Sequence, residues 1–234
     1  MASGRTLVVL GSGPGIGVSV ASLWAKNGFE KVALLARDSA RLKIDSRTVS
    51  EAAGAVGKFV EVQTWSVDLT NTKALNIILE EVQLFGQIDC VLFNATAVRK
   101  SKLLEEPEEI IEQDFRLSNI ALYNTARWAI PLLLKASDTT RLSLPALLVT
   151  SGGVSKDPVP QKFVLSMVKA AQRSLTISLA KSYQEEDIHI GLITVGGAVD
   201  PSYPRLNPTF IAEQTWDFFC QKKSERTLEV EILA

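Results

Sequence analysis

Leu10-Gly11-Ser12-Gly13-Pro14-Gly15-Ile16-Gly17 decides how this chain is read. A short apolar, β-branched run, Thr6-Leu7-Val8-Val9-Leu10, precedes it, and residues 18–25 follow with apolar positions at helical spacing. Strand, glycine turn and helix in that order aim backbone N–H groups and a positive helix end at a pyrophosphate. Side chains extending beyond Cβ would block that approach. Gly11, Gly13, Gly15 and Gly17, with Ser12 and Ile16 between them, therefore form a candidate dinucleotide cradle. A glycine-rich turn alone is often only a tight turn, and it is the flanks that give this one its meaning.

The next strand, residues 31–36, ends at Arg37-Asp38. About twenty residues past such a loop, an acid holds the ribose 2′-hydroxyl of NAD or an arginine meets the 2′-phosphate of NADP. Ala36 stands where an NAD-preferring acid would, while Arg37 comes first in the loop and suits a dianionic phosphate. Asp38 reads as a cap or turn residue ahead of Ser39-Ala40-Arg41-Leu42. NADP is favoured over NAD, against the plain alternative of two solvated loop charges.

Strand and helix patterns then alternate to the end. Residues 59–68, 88–94, 144–150, 188–195 and 227–233 read as strands, and 70–85, 163–183 and 210–220 as helices. Residues 107–134 read as one long helical stretch with candidate breaks near Asp114 or Ser118. The alternation implies one α/β domain over residues 1–234: a Rossmann-type, doubly wound parallel sheet of about seven strands with helices on both faces. A length of 234 residues with 46% hydrophobic content suits such a core. A net charge of −1 without a basic block argues against nucleic acid and anionic membranes as partners. No apolar run reaches membrane-span length, and the N-terminus lacks a signal-like hydrophobic region. Cys90 in an apolar strand and Cys220 in a late helix suit packing in a reducing compartment, so a cytoplasmic protein is expected. No His, Cys and acid cluster has metal-ligand spacing, so no metal is expected.

These residues carry a family resemblance. Gly11-x-x-x-Gly15-Ile16-Gly17 is similar to the cofactor loop of the short-chain dehydrogenase/reductase family. Asp68-Leu69 resembles the acid after strand three that such proteins place near the adenine. Phe93-Asn94-Ala95-Thr96 resembles the Asn-Asn-Ala-Gly segment ending strand four, and Ala36-Arg37 the NADP-preferring end of strand two. Asn119 sits where the long central helix carries a catalytic asparagine, and Lys169-Ala170-Ala171 resembles the Lys-Ala-Ala after the catalytic tyrosine. The likeness runs in order over essentially the whole chain. It implies cofactor contacts at the glycine loop, Arg37, Asp68, Leu69, Asn94, Ala95 and Lys169, and at Gly197 and Val199 after strand six. It also implies catalytic roles for Asn119, Ser151 and Lys169, and an NADP(H)-dependent reaction on a small-molecule carbonyl or alcohol.

The departures matter as much. The family tyrosine stands four residues before the lysine, where this chain has Leu165. The family serine, thirteen residues before that tyrosine, falls on Gly152, beside Ser151. The Pro-Gly after strand six appears as Gly196-Gly197, and the lid region 201–208 is short. Leu165 carries no proton, and general acid–base catalysis is worth about 10²–10⁴-fold. The hydride chemistry belongs to the cofactor and needs only positioning.

Candidate substitutes each have a plain alternative. Ser166 points about 100° away from the tyrosine position. Ser151 is placed to orient a carbonyl oxygen. Tyr123, four residues after Asn119, is expected on its face but reads as packing or dimer contact. Lys156 and Asp157 read as a solvated turn, and His189 between isoleucines as structural. Lys169 either donates directly to a substrate oxygen or is a surface helix lysine, and Asn119 is expected to hold a water or to bridge the central helix to strand four. The favoured reading is an oxidoreductase with a non-standard proton donor. The alternatives are a non-redox cyclase, isomerase or lyase on the same fold, or a catalytically inactive cofactor-binding protein. Related proteins pair two central helices across a twofold axis, which implies a homodimer or homotetramer with Leu117, Ile120, Trp128, Val164, Met167 and Val168 as surface.

Overall fold

A computed structural model describes residues 4–137 and 144–234. Seven parallel strands form one sheet: β1 (Arg5–Leu10), β2 (Lys31–Ala36), β3 (Glu61–Ser66), β4 (Gln87–Phe93), β5 (Ala146–Gly152), β6 (His189–Val195) and β7 (Glu229–Ile232). Their spatial order is β3-β2-β1-β4-β5-β6-β7. The helices between them are α1 (Ile16–Lys26), α2 (Ser39–Gly54), α3 (Thr72–Phe85), α4 (Glu108–Phe115), α5 (Ala121–Ala136), α6 (Phe163–Ser182) and α7 (Pro208–Phe219). This is the Rossmann-type α/β architecture that the alternation predicts.

Two cores sandwich the sheet, and β1 feeds both because successive side chains point to opposite faces. Leu7 and Val9 pack with α1, α2 and α7, whereas Val8 and Leu10 pack with α3 and α5. The strand order reverses between β1 and β4, so the carboxyl ends of these two strands open a crevice. Leu10 pairs with Phe93 there, which places Gly11 beside Asn94.

Several boundaries differ from the sequence reading. β3 is shorter than residues 59–68 because it is an edge strand paired only with the six residues of β2, and Phe59 stays exposed. β5 runs later than 144–150, since pairing with β6 continues through Ser151 and Gly152. The stretch 107–134 is interrupted at Arg116–Ile120 by a π turn, where the sequence placed a candidate break. That wider turn breaks the helical phase: Asn119 is buried and Tyr123 exposed, so the two do not share a face. Val164 and Val168, expected on a dimer surface, instead pack inside the chain against Ile111, Val154 and Phe163. No helix among the described residues is long and apolar enough to cross a membrane.

Candidate active site

A cleft of about 580 Å³ lies over the crevice, and a cavity of about 780 Å³ adjoins it, the two sharing Ile16, Asn94, Thr96, Val98 and Val199 as walls. The glycine loop forms the floor of the cleft. Gly11 has φ +90, and a Cβ there would sit 2.6 Å from the Ala95 backbone nitrogen, so chain packing alone demands glycine. Gly13 and Gly15 are different, because a Cβ on either would meet nothing within 4 Å. Their bareness keeps open the space into which the α1 N-terminus points, and no side chain caps that N-terminus. An open floor beneath an uncapped helix N-terminus suits an anionic group such as a pyrophosphate.

At the far end of the cleft, Asp38 caps α2 by accepting from the Ala40 and Arg41 backbone N–H groups, as its sequence position suggested. Arg37 is exposed and lines the cleft. So does Arg41, which the sequence reading did not single out. The Arg41 Nε and Nη2 both lie 2.6 Å from Asp45 Oδ1, and Asp45 is fully buried and also accepts from Ser12 Oγ at 2.7 Å. The pair sits at i, i+4 on α2 and is locally legible, but its link to the glycine loop spans 33 residues. Leu69 lines the cleft, whereas the Asp68 carboxylate points to Thr70, accepting from its N–H and hydroxyl at 2.9 Å.

Hydrogen bonds run from the glycine loop into the cavity. Asn94 Nδ2 donates to Gly11 O at 2.9 Å, and Asn94 Oδ1 accepts from Thr150 Oγ1 at 2.8 Å. Thr150 O in turn accepts from Lys169 Nζ at 2.8 Å. Lys169 Nζ also donates to Gln172 Oε1 at 2.8 Å, and Gln172 Nε2 donates to Ser118 O in the π turn at 3.1 Å. Thr150 and Gln172 carried no sequence signal of their own, and Ser118 only that of a candidate helix break, because their roles exist only where β4, β5, α6 and the π turn converge. Burial with no counter-charge pulls the Lys169 ammonium down from 10.5 to about 7. Leu165 lines the same cavity one turn earlier on α6, with Ser151, whose buried Oγ has no partner among the described residues. Gly197 borders the cavity rather than the cleft, and Ala95 borders the cleft.

Other candidates fall elsewhere. Asn119 lines neither space; its Nδ2 donates to Val168 O at 3.2 Å, bridging the central helix to α6 instead of to β4. Ser166 Oγ donates to Lys162 O and accepts from the Val159 N–H, closing the turn before α6. Lys156 pairs with Glu229 and Glu231 on β7, which ties the loop after β5 to the sheet edge. Asp157 lines the cavity from an exposed position. His189 is buried, with Nε2 at 2.9 Å from Thr227 O and its ring edge-on to Phe218, and burial pushes it below the usual imidazole range.

A family model described as short chain dehydrogenase matches residues 5–203. An uncharacterised oxidoreductase of Staphylococcus saprophyticus is 27% identical over 219 residues, covering 89% of this chain and 88% of that one. The 3-oxoacyl-(acyl-carrier-protein) reductase of Thermotoga maritima is 23% identical over 204 residues, covering 87% and 78%. Among solved structures, an alcohol dehydrogenase from Thermococcus sibiricus complexed with 5-hydroxy-NADP superposes with TM-score 0.82. It is 22% identical and covers 97% of this chain and 95% of that one. At that identity the likeness is one of fold.

Proposed function

Because this chain belongs to the short-chain dehydrogenase family, we propose that it is an NADP(H)-dependent oxidoreductase acting on a small-molecule carbonyl or alcohol. The observation that carries this reading is the continuity between two spaces: a bare glycine cradle and a cavity holding Ser151 and Lys169. Gly13 and Gly15 have no packing reason to lack a side chain, and a bound pyrophosphate supplies one. Arg37 and Arg41 at the end of β2 and the start of α2, with no acid ending β2, favour a 2′-phosphate. Asn94, donating to Gly11 O and accepting from Thr150 Oγ1, holds the loop in place. When bound, the nicotinamide supplies or takes the hydride. Ser151 Oγ, buried and without a partner among the described residues, is placed to donate to a carbonyl oxygen and orient it. The walls contributed by Val154, Val159, Leu165, Val195 and Leu233 suit an apolar substrate. Exposed Phe115, Ile120, Tyr123 and Met167 on the central helices support pairing with a second copy.

The test is NADPH oxidation, followed by absorbance, with apolar ketones and aldehydes, run beside NADH. Turnover with NADPH at least tenfold above NADH is expected. Leu165 at the family's tyrosine position favours a second reading, in which the fold binds cofactor without net redox. Tight NADPH binding with no oxidation across the panel selects that reading.

A further inference from the structure

We propose that Lys169, oriented by Gln172, is the group that exchanges the proton with the substrate oxygen in place of a tyrosine. The assignment rests on the carbonyl–alcohol reading above. The titratable residues lining the cavity are Asp157, Lys162 and Lys169. Asp157 is exposed and Lys162 half-exposed, where water competes for any proton they hold, and Lys169 alone is buried. Arg173, one turn further along α6, is occupied by Glu229 at 2.6 and 3.0 Å.

The hydrogen bonds around Nζ suit proton exchange. An ammonium has three N–H groups, and the protein accepts two of them, at Thr150 O and Gln172 Oε1. The third has no acceptor among the described residues, and Lys169 lines the cavity where a substrate oxygen would arrive. After the proton leaves, a lone pair takes its place while both remaining N–H groups keep their partners. The side chain therefore need not reorganise between its two states. Both partners are neutral; a carboxylate in place of Gln172 would hold the proton. Burial brings the ammonium to about 7, the range in which a general acid works best at neutral pH.

In the step itself, the carbonyl carbon gains the hydride and its two electrons, and the nicotinamide is oxidised. The carbonyl π pair moves to oxygen, an O–H bond forms, and the N–H bond on Nζ breaks. Lys169 is left as a neutral amine and recovers its proton from water. Alcohol oxidation runs the same path in reverse.

The experiment combines turnover, cofactor binding and direct titration. Lys169→Met and Lys169→Arg are compared with the wild type for NADPH oxidation and for NADPH affinity by fluorescence. The expected result is a loss of at least a hundredfold in kcat measured at saturating NADPH, so that any change in Kd at this implied cofactor contact is separated from the rate. Turnover retained by Lys169→Met overturns the assignment, as does a loss of binding that accounts for the loss of rate. In the cofactor-free wild type, acetylation of each lysine is followed by peptide mass spectrometry against pH. A Lys169 midpoint near 7 is expected, and one above about 9 contradicts the proposal whatever the kinetics show. If the wild type oxidises NADPH with none of the carbonyls in the panel, the redox reading fails and takes the catalytic assignment with it; turnover that survives Lys169→Met defeats the assignment alone.

Discussion

Replacing Lys169 by methionine should change how the protein's stability depends on pH. In the fold, the ammonium is pulled to about 7 from 10.5. Between those values the unfolded chain holds a proton that the folded chain does not, so stability rises with pH. The contribution is complete above 10.5 and is lost as pH falls through 7. Across pH 6 to 8.5 this one group adds about 2 kcal/mol of stability. For a chain of this size that corresponds to about 4–8 °C in Tm. Methionine has a similar length and no charge, so Lys169→Met lacks this term, and other titrating groups cancel in the comparison. The assay is thermal or urea unfolding of both cofactor-free proteins at half-unit pH steps. The Lys169→Met protein should be relatively most stable at pH 6, with the gap moving toward the wild type by about 2 kcal/mol at pH 8.5. A gap that stays constant across the range would mean that Nζ is charged in the folded state, and the burial argument would then be wrong.

Leu165→Tyr places a phenol four residues before Lys169 on the wall of the cavity. NADPH-dependent carbonyl reduction should rise at least tenfold, and an unchanged or lower rate counts against the redox reading. Gly13→Val puts a side chain into open cleft space, so Tm should move by no more than about 2 °C while NADPH affinity falls at least tenfold; equal binding by both proteins would show that the cradle holds no phosphate. Glu229 is held below its ordinary 4.5 because Arg173, Lys156 and Thr194 outweigh the burial that would raise it. Its contribution is present above 4.5 and is lost as pH falls through the depressed value. Glu229→Gln should cost about 1–2 kcal/mol at pH 7, allowing for solvent screening, with a smaller further loss on acidification than in the wild type. Urea unfolding at pH 7 and pH 3.5 checks both parts.

Local pattern made the architecture legible. Seven apolar runs separated by amphipathic stretches can be buried in few ways, and the glycine loop after the first strand marks the crevice. Asp38 was recognisable as a cap because capping is settled by the next three residues. Leu165 was recognisable at the family's tyrosine position because it stands four residues before Lys169. What sequence could not supply is what those residues meet. A helix lysine is by default a solvated one; Lys169 is buried because α6 packs against β5, which offers Thr150 O, and against the π turn, whose Ser118 O holds the neighbouring Gln172 of α6 so that its Oε1 accepts from Nζ in place of water or a carboxylate. The Ser12–Asp45–Arg41 link likewise exists only because α2 lies beside the glycine loop. The π turn shifted Tyr123 away from Asn119, since helical phase summed along a sequence assumes an unbroken helix. Backbone preference and hydrophobic period act over a few residues, so the chain by itself determined its strands, its cradle and the absence of a tyrosine. Dielectric environment and long-range hydrogen-bond partners come from groups far apart in the chain, so the tertiary structure alone decided that Lys169 is buried and that it meets Thr150 O.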